Sequence, residues 1–578
     1  MYRNYVGLAT SFHDSALAIV DSQGEVRFAE ATERSLQSKR ALCITPDLVH
    51  HTGEIIRQHC ESDAEIIAAH SWTPPADQSL REIVQPFSTL RATLEARYGD
   101  NIPEALLVQL IAMRHAAVSM WNSRALSGSN LDFELGRIGW GRPFVAERRG
   151  YDHHLTHAAA SCFSSPFDEA TCAIVDGVGE GTACAFFAYR NGELKPLMQQ
   201  ESGTGSLGFF YLKVCLACGF GILTGEEWKA MGLAAYGKPD AEFIDFFRRA
   251  IKLEGLALHD TDTEVEPRLA LYELRNAARK SFHTAANLAF AGQQVFTETL
   301  IALLRNLYPH GGSSNLVLGG GCALNSSANG AILEQTPFRR MHVFCAPADD
   351  GNAVGAAQLA HRQDHPEFRP RPRVQSPYLG SCMSQETLGN LRRFSKVTQC
   401  ASDAPVRAAE MLARGKIIGW IQGRAEFGPR ALGNRSILAD PRSAQIKEQI
   451  NSRVKFREEF RPFAPSILHQ FGAEYFENYQ ESPYMERTLR FRQEVLGRVP
   501  GVVHLDGTGR LQTVKREWNA PFYDLIEHFR LITGIPLVLN TSFNVMEKPI
   551  SHSVEDVLAV FHSCGLDAVF LEDVLVEK

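Results

Sequence analysis

The stretch Leu316-Val-Leu-Gly-Gly-Gly-Cys-Ala-Leu-Asn325 decides the fold. A short apolar run closed by glycines reads as a buried strand, and the small-residue sequence beyond it reads as the start of a helix. Glycine at such a turn lets backbone N–H groups approach an anion closely, while the helix N-terminus adds partial positive charge. Gly320, Gly321 and Asn325 are therefore candidate nucleotide contacts. Two other places follow the same logic. Cys172–Val175 reads as a strand running into Asp176-Gly-Val-Gly-Glu-Gly-Thr182, with another strand at Ala183–Tyr189. Near the start, Tyr5–Thr10 reads as a strand, Ser11–Ser15 as a polar turn, Ala16–Val20 as a second strand, and Asp21–Gly24 as a hairpin turn into Val26–Ala29. A single glycine turn is weak evidence, because glycine often only serves a tight turn. Three in this order, each beside apolar strands, point to an α/β fold.

That set resembles the actin-like ATPase superfamily, in which two related lobes close over a nucleotide and such turns hold phosphates and adenosine. Residues 77–141 fit this plan poorly. Their amphipathic helical patterns, such as Glu104–Ala116, suggest an insertion able to shape an acceptor pocket. The clearest punctuation is His361–Pro377, charged and rich in proline, with neither helical nor strand period, and it reads as a linker. The expected organisation is one unit over 1–360, a linker over 361–378, and a smaller unit over 379–578 with apolar strands such as Ile417–Ile421 and Pro536–Leu539. There is no internal repeat of about 20 to 50 residues and no low-complexity tract.

Composition narrows the function classes. The 578 residues carry a formal charge of −7, with 44% hydrophobic and 22% charged residues, which argues against a nucleic-acid coat. These values are ordinary for a globular chain with the length of roughly three or four domains. No run of about 18 apolar residues appears, and the start leads into a strand pattern instead of a signal peptide, so a soluble cytoplasmic protein is expected. The cysteines are scattered singly, as at Cys43, Cys162, Cys172, Cys184 and Cys345, and are expected to be reduced core residues. The one Cys-x-x-Cys, Cys215 and Cys218, lacks the second pair of a zinc ribbon and is expected to be plain packing.

Tyr151-Asp-His-His-Leu-Thr-His157 places His153 and His157 at i and i+4, on one face of a helix beginning there. That spacing suits two imidazoles on one metal. Asp176, at the end of its strand, and Asp349, among glycines in Pro347–Gly355, can complete the shell. Such a mixed shell suits iron, manganese or zinc better than calcium or magnesium. The structural alternative is that the histidines cap or pack a helix and both aspartates occupy turns; His154 replaces His153 only in a different helix register. His13 lies in the first polar turn, where a phosphate or a reacting hydroxyl can approach and a neutral imidazole can take a proton; the structural alternative is a solvated turn histidine.

In the second unit, the segment Arg424–Arg461 holds nine Lys or Arg and five Asp or Glu, a surplus of four positive charges in an acidic chain. Guanidinium forks bind phosphate oxygens bidentately and lysine adds a compact charge, so Arg430, Lys455, Arg457 and Arg461 can hold a triphosphate without a Walker lysine. Interleaved Gly, Pro and Phe break the helical period that a solvated basic face would show. Two further segments look like site walls: His504–Thr513, presenting His504, Arg510 and Thr513, and Asn540-Thr-Ser-Phe-Asn544 after a strand.

The chain resembles the ATP-dependent O-carbamoyltransferases of antibiotic and nodulation-factor biosynthesis over nearly its whole length. The residues that carry the resemblance are His153-His-Leu-Thr-His-Ala-Ala-Ala-Ser161, Lys229-Ala-Met-Gly-Leu-Ala-Ala-Tyr-Gly237, Gly320–Asn325, Glu426–Arg442 and Phe460-Arg-Pro-Phe-Ala-Pro465. The resemblance implies a first domain like the tRNA threonylcarbamoyltransferase subunit, itself actin-like, and an α+β second domain like the synthase of threonylcarbamoyl-adenylate. It implies that carbamoyl phosphate and ATP, with magnesium, form carbamoyl-adenylate in the second domain, and that a hydroxyl of a small molecule takes the carbamoyl group in the first. Carried over, the metal ligands are His153, His157, Asp176 and Asp349, with iron ahead of manganese or zinc. His13 is the base or orienting histidine, Lys455 and Arg461 join it as catalytic residues, and Arg430, Arg510, Asn540 and Ser542 contact phosphate and carbamoyl groups. The chain departs from the family in the thinner charge of Glu30-Ala-Thr-Glu-Arg-Ser35 and in Cys322, where an aliphatic residue is commoner.

Two rivals stand beside this reading. One is a tRNA-modifying fusion using threonylcarbamate, disfavoured by the net negative charge. The other is a nucleotide-switched binding protein of the actin type, which would hydrolyse ATP to ADP. No nucleic-acid or membrane partner is expected; a homodimer is left open.

Overall fold

The computed structural model describes residues 2–73, 80–198, 205–221, 225–260, 265–395, 397–399, 403–545 and 547–578. In the first sheet, β1 (Arg3–Ala9), β2 (Ala16–Val20) and β3 (Val26–Ala31) form an antiparallel meander, and β4 (Glu65–His70) and β5 (Glu147–Gly150) run parallel to β1 on its other side. The strand order is β3-β2-β1-β4-β5. A second sheet repeats this plan. Its meander is β6 (Glu169–Val175), β7 (Cys184–Arg190) and β8 (Glu193–Met198); after a hairpin of β9 (Ile251–Glu254) and β10 (Ala257–Asp260), β11 (Asn315–Gly319) and β12 (Arg340–Val343) join parallel to β6, giving the order β12-β11-β6-β7-β8. Read from opposite edges, the two orders are the same. The first unit is therefore two related lobes, as the actin-like expectation requires.

The lobes exchange helices. His153–Phe163 follows the last strand of the first lobe and packs on the second sheet, while Asn352–Asp364 follows the last strand of the second lobe and packs on β1, β2 and β4. The two helices also lie against each other. Small residues permit this: Ala353, Ala356, Ala357 and Ala360 are fully buried. Contact is closest at two glycines, since a Cβ on Gly7 would fall 1.8 Å from the Ala353 carbonyl oxygen and one on Gly355 1.9 Å from that of Thr156.

The helices Leu80–Tyr98 and Glu104–Leu126 of the expected insertion pair through Leu94, Leu106 and Leu110, followed by Ser129–Arg137. The first residues of that insertion, 77–79, lie outside the described residues. The expected linker needs a correction. His361–Asp364 is the last turn of a helix, with His361 buried beside Tyr5 and Phe368, and the Asp364 carboxylate bonded by Arg3, Tyr5 and Arg149. Polar residues that find buried partners there have the composition of a linker without being one. The irregular path starts only at His365, one residue before Pro366, where a helix must stop.

The second unit is built on one nine-stranded mixed sheet. Its strands are β13 (Thr398–Gln399), β14 (Ile418–Ile421), β15 (Arg435–Ala439), β16 (Ala464–Leu468), β17 (Arg487–Arg490), β18 (Thr508–Val514), β19 (Leu537–Ser542), β20 (Ala568–Leu571) and β21 (Val574–Glu577), in the order β13-β21-β20-β14-β15-β19-β16-β18-β17. Trp420, Ile467, Val538 and Phe570 are fully buried in its core, each such side chain contributing about 1.5–3 kcal/mol. Among the described residues there is no disulfide; Cys162, Cys172, Cys184, Cys215, Cys218 and Cys345 are buried as expected. Cys43 is not core: it is half-buried, with φ of 62°, at the end of a segment where Arg40 and Ala41 also have positive φ. No helix among the described residues is long and apolar enough to cross a membrane.

Candidate functional site

Asp152 caps the helix His153–Phe163 by accepting from Leu155 N–H at 2.9 Å, which sets the register of the histidines. His153 and His157 then share a face, and their Nε2 atoms lie 3.4 Å from one Asp176 oxygen and 3.6 and 3.5 Å from one Asp349 oxygen. The four ligand atoms all fall within 4.8 Å of one another. Asp176 sits just past β6, with its other oxygen held by Gly321 N–H at 2.9 Å, and Asp349 sits just before the exchanged helix Asn352–Asp364. Burial opposes charge here, but the carboxylates outweigh it and push His153 up to about 10, while both carboxyls are held well below their usual range by the imidazoles. Gaps of 3.4 to 3.6 Å exceed a good hydrogen bond. They match the separation of about 3.4 Å between two ligands held near 2.1 Å from one ion in tetrahedral array. His157 Nε2 is also buried with no hydrogen-bond partner. The donor set thus fits a divalent transition metal. His154 turns elsewhere, its Nδ1 3.2 Å from Thr182 Oγ1 and its ring over Gly179.

His13 reaches the same place from the first lobe. Its Nδ1 is 2.9 Å from Asp14 and 3.9 Å from Asp349. The turns β1–β2 and β6–β7 are equivalent in the two lobes, so His13 and Asp176 come from matching positions of the duplicated plan. Asp14 is fixed in turn by Arg40 at 3.1 Å, and Arg40 N–H donates to Glu33 at 2.8 Å. Arg40 and His13 hold the Asp14 carboxyl well below the usual range against the opposing effect of burial. His13 Nδ1 thus faces the Asp14 carboxylate at close range while making no well-directed hydrogen bond.

A cavity of about 910 Å³ lies between the second unit and the second lobe. Arg430, Lys455, Arg457, Arg461, His504, Arg510, Asn540 and Ser542 line it from the second unit; Trp228, Lys229, Ser326, Glu33 and Lys39 line it from the first. Lys455 ends a widened helical turn, Asn451–Lys455, and its ammonium donates to the Ser542 carbonyl and to both the carbonyl and side-chain oxygens of Asn544. Burial, then repulsion by Arg457 and Arg461, holds it well below the ordinary lysine value. Burial lowers Arg430 to about 10, Arg457 to about 9, Arg461 to about 10 and His504 to about 4, and lowers Arg510 strongly, with Arg430 and Arg457 adding to the effect on Arg510. Among the described residues the guanidiniums of Arg430 and Arg510 make no hydrogen bond or ion pair. Gathering unmatched cations away from water is unfavourable unless a polyanion joins them. Asn540 donates to Ala431, Ser466 and Gln512, which leaves its buried Oδ1 without a partner.

Four expected contacts are placed elsewhere. Thr513 faces the other side of β18 from Arg510, because side chains three apart on a strand point oppositely; its hydroxyl accepts from Ser482 N–H at 2.9 Å and pairs with Tyr479 at 3.0 Å. Gly321 spends its N–H on Asp176, Gly320 bends the chain at φ 85° against Val175, and Asn325 caps the helix Ser326–Gln335 while pairing with Gln293. The anion met by that glycine turn is the chain's own carboxylate. Sequence reasoning missed Trp228, whose ring lies 3.6 Å below the Arg461 guanidinium, and the role of Lys229, which is 3.0 Å from Glu458 across the unit boundary. Lys229 stood inside a quoted motif; Trp228, one residue before it, carried no signal of its own.

Residues 4–358 match the family model described as Carbamoyltransferase N-terminus, and residues 409–578 match Carbamoyltransferase C-terminus. Nodulation protein NolNO of Sinorhizobium fredii is 36% identical over 437 residues, covering 74% of this chain and 63% of that protein, so the match spans less than two thirds of that relative. Nodulation protein NolO of Bradyrhizobium diazoefficiens is 35% identical over 439 residues, covering 74% of this chain and 79% of its own length. A solved structure of full-length HypF in its phosphate- and nucleotide-bound form covers 62% of this chain and 55% of its own at 12% identity and a TM-score of 0.33, too slight a likeness to weigh. The chain belongs to the carbamoyltransferase family.

Proposed function

We propose that the chain is an ATP-dependent O-carbamoyltransferase that makes carbamoyl-adenylate in the cavity of the second unit and passes the carbamoyl group to a hydroxyl of a small natural product beside His13. The observation that carries the reading is the pair of half-buried guanidiniums of Arg430 and Arg510 lining the cavity, which have no anion among the described residues. Magnesium-bound ATP and carbamoyl phosphate supply the charge that balances them. Carbamoyl phosphate loses inorganic phosphate to water and leaves carbamate, whose oxygen attacks the α-phosphorus of ATP as pyrophosphate departs. Arg430, Arg457 and Arg510 hold phosphate oxygens through that displacement, and Lys455 fixes the Ser542–Asn544 wall against which the carbamoyl group lies. Enclosure keeps water from a labile anhydride.

In the second step the acceptor hydroxyl attacks the carbamoyl carbon, the bond from that carbon to the phosphate oxygen breaks, and AMP leaves. His13 takes the hydroxyl proton, with Asp14 and Arg40 beside the ring. His153, His157, Asp176 and Asp349 would hold a divalent cation, iron ahead of manganese or zinc, whose chemistry when bound is Lewis acidity toward an anhydride or phosphate oxygen. The acceptor is a small molecule, not RNA or a membrane. Incubation with labelled ATP is the test: AMP and pyrophosphate should appear only when carbamoyl phosphate is present. ADP as the product, with or without carbamoyl phosphate, would instead indicate a nucleotide-switched protein and overturn the proposal.

A further inference from the structure

Trp72 stands two residues beyond β4, only 5% exposed, and its ring is stacked on that of His153 with centroids 4.1 Å apart and planes 24° from parallel. Over Trp72 lies the guanidinium of Arg124, 5.1 Å from the ring centroid, carried by the insertion helix Glu104–Leu126. The same guanidinium donates to the Thr73 carbonyl at 3.0 Å, and Thr73 in turn donates through its N–H to Glu180 at 2.7 Å and through its hydroxyl to the same carboxylate. Glu180 belongs to the glycine turn that begins at Asp176. Thus one assembly, Trp72 and Thr73 held by Arg124 of the insertion, touches two arms of the quartet, the His153 ring directly and the Asp176 turn through Thr73 and Glu180.

The geometry matters because the lone pair of an imidazole nitrogen lies in the ring plane, so any tilt of the ring swings it away from an ion. The edge of the His153 ring is located by the Asn352 amide, 3.4 Å from Nδ1. Its face is located by Trp72. We infer that Trp72, clamped by Arg124, is the positioning residue that fixes the His153 ring plane for metal binding, which makes the insertion hairpin part of the metal centre. The stack adds dispersion on one side of the imidazole, and Arg124 adds a cation–π contact of about 0.5–2 kcal/mol to the indole, both lost in Trp72→Leu. The inference rests on the quartet binding a metal and is independent of which acceptor is used.

The test is metal binding by the full chain, read without turnover. Free Mn(II) is followed by electron paramagnetic resonance during titration, and Co(II) is loaded to record its visible ligand-field bands. Trp72→Leu should weaken Mn(II) binding about 10- to 100-fold and shift the Co(II) bands. Trp72→Phe, which keeps an aromatic face, should recover most of that affinity. Arg124→Gln removes only the clamp and should weaken binding by several-fold. Unchanged Mn(II) affinity and Co(II) bands in Trp72→Leu overturn the inference, as does a Phe variant no better than the Leu variant, since volume alone would then be at issue. If Trp72→Leu does not fold, Arg124→Gln decides: affinity equal to the unmodified chain overturns it. An unmodified chain that takes up neither ion overturns it too, while leaving the formation of AMP from ATP and carbamoyl phosphate as a separate question.

Discussion

Replacing Arg430 with methionine should raise the stability of the ligand-free chain while suppressing its chemistry. The guanidinium lines the cavity with no partner among the described residues, and burial alone brings it down from 12.5 to about 10. A base whose folded value is lowered destabilises the folded state at every pH below that value, so the penalty is fully present at pH 7.5 and fades only above about 10. The lowering corresponds to about 3 kcal/mol; solvent screening at this half-buried position leaves about 1 to 2 kcal/mol. Methionine keeps the apolar stem and deletes the charge. For a unit of roughly 200 residues, that gain raises the melting temperature of the second unit by about 2–8 °C. The same change removes a charge-assisted contact to phosphate worth about 1.5–3 kcal/mol, which slows carbamoyl-phosphate-dependent AMP formation about 10- to 150-fold. Scanning fluorimetry without ligands and an AMP assay read the two effects separately. A lower melting temperature than the unmodified chain, or AMP formation within twofold of it, refutes the claim that the cations are held unmatched for a polyanion.

Three further outcomes follow from the placement of individual side chains. His13→Ala should still release AMP and pyrophosphate from ATP and carbamoyl phosphate but form no carbamoylated product; loss of AMP release instead would put His13 in the wrong half-reaction. His157→Ala should lower bound iron or manganese, measured by elemental analysis after gel filtration, at least tenfold, and stoichiometric metal in the variant would count against the quartet. Thr513→Val should leave the KM for ATP unchanged while costing about 1–3 kcal/mol of stability, because its hydroxyl holds Ser482 and Tyr479 on the face of β18 away from the cavity; a raised KM would show that the residue faces the ligands after all.

Much of this site could be read from local sequence, and the parts that could not are contacts between distant segments. The i, i+4 spacing of His153 and His157 fixes a shared helix face whatever the fold, and the cation surplus of Arg424–Arg461 survives any arrangement of that segment. Thr513 was misread although its signal was present: it lies three residues from Arg510, and a strand alternates faces with period two. His361–Asp364 was likewise readable as helix, since the alanine-rich run from Ala356 meets no glycine or proline before Pro366. Trp72 and Arg124 are different. They lie 52 positions apart, Trp72 before the insertion and Arg124 within it, and only the folded chain brings Arg124 over Trp72 and Trp72 onto His153.

The two related lobes that the actin-like resemblance implies explain where the quartet sits. Each lobe ends its first strand in a turn, and those equivalent turns carry His13 in one and Asp176 in the other. Each lobe then sends its last helix onto its neighbour's sheet, so the histidines arrive from one crossing helix and Asp349 from the start of the other. Three of the four side chains, His153, His157 and Asp349, are thereby mounted on or beside the crossing helices, and Asp176 on the β6–β7 turn completes the set. The crossing is tight because Gly355 meets the Thr156 carbonyl, one residue from His157, with no room for a Cβ. Any motion of the lobes that parted the helices would therefore pull Asp349 from the histidines. Under the proposed function, a metal on these four side chains would therefore be held through the crossing of the two helices.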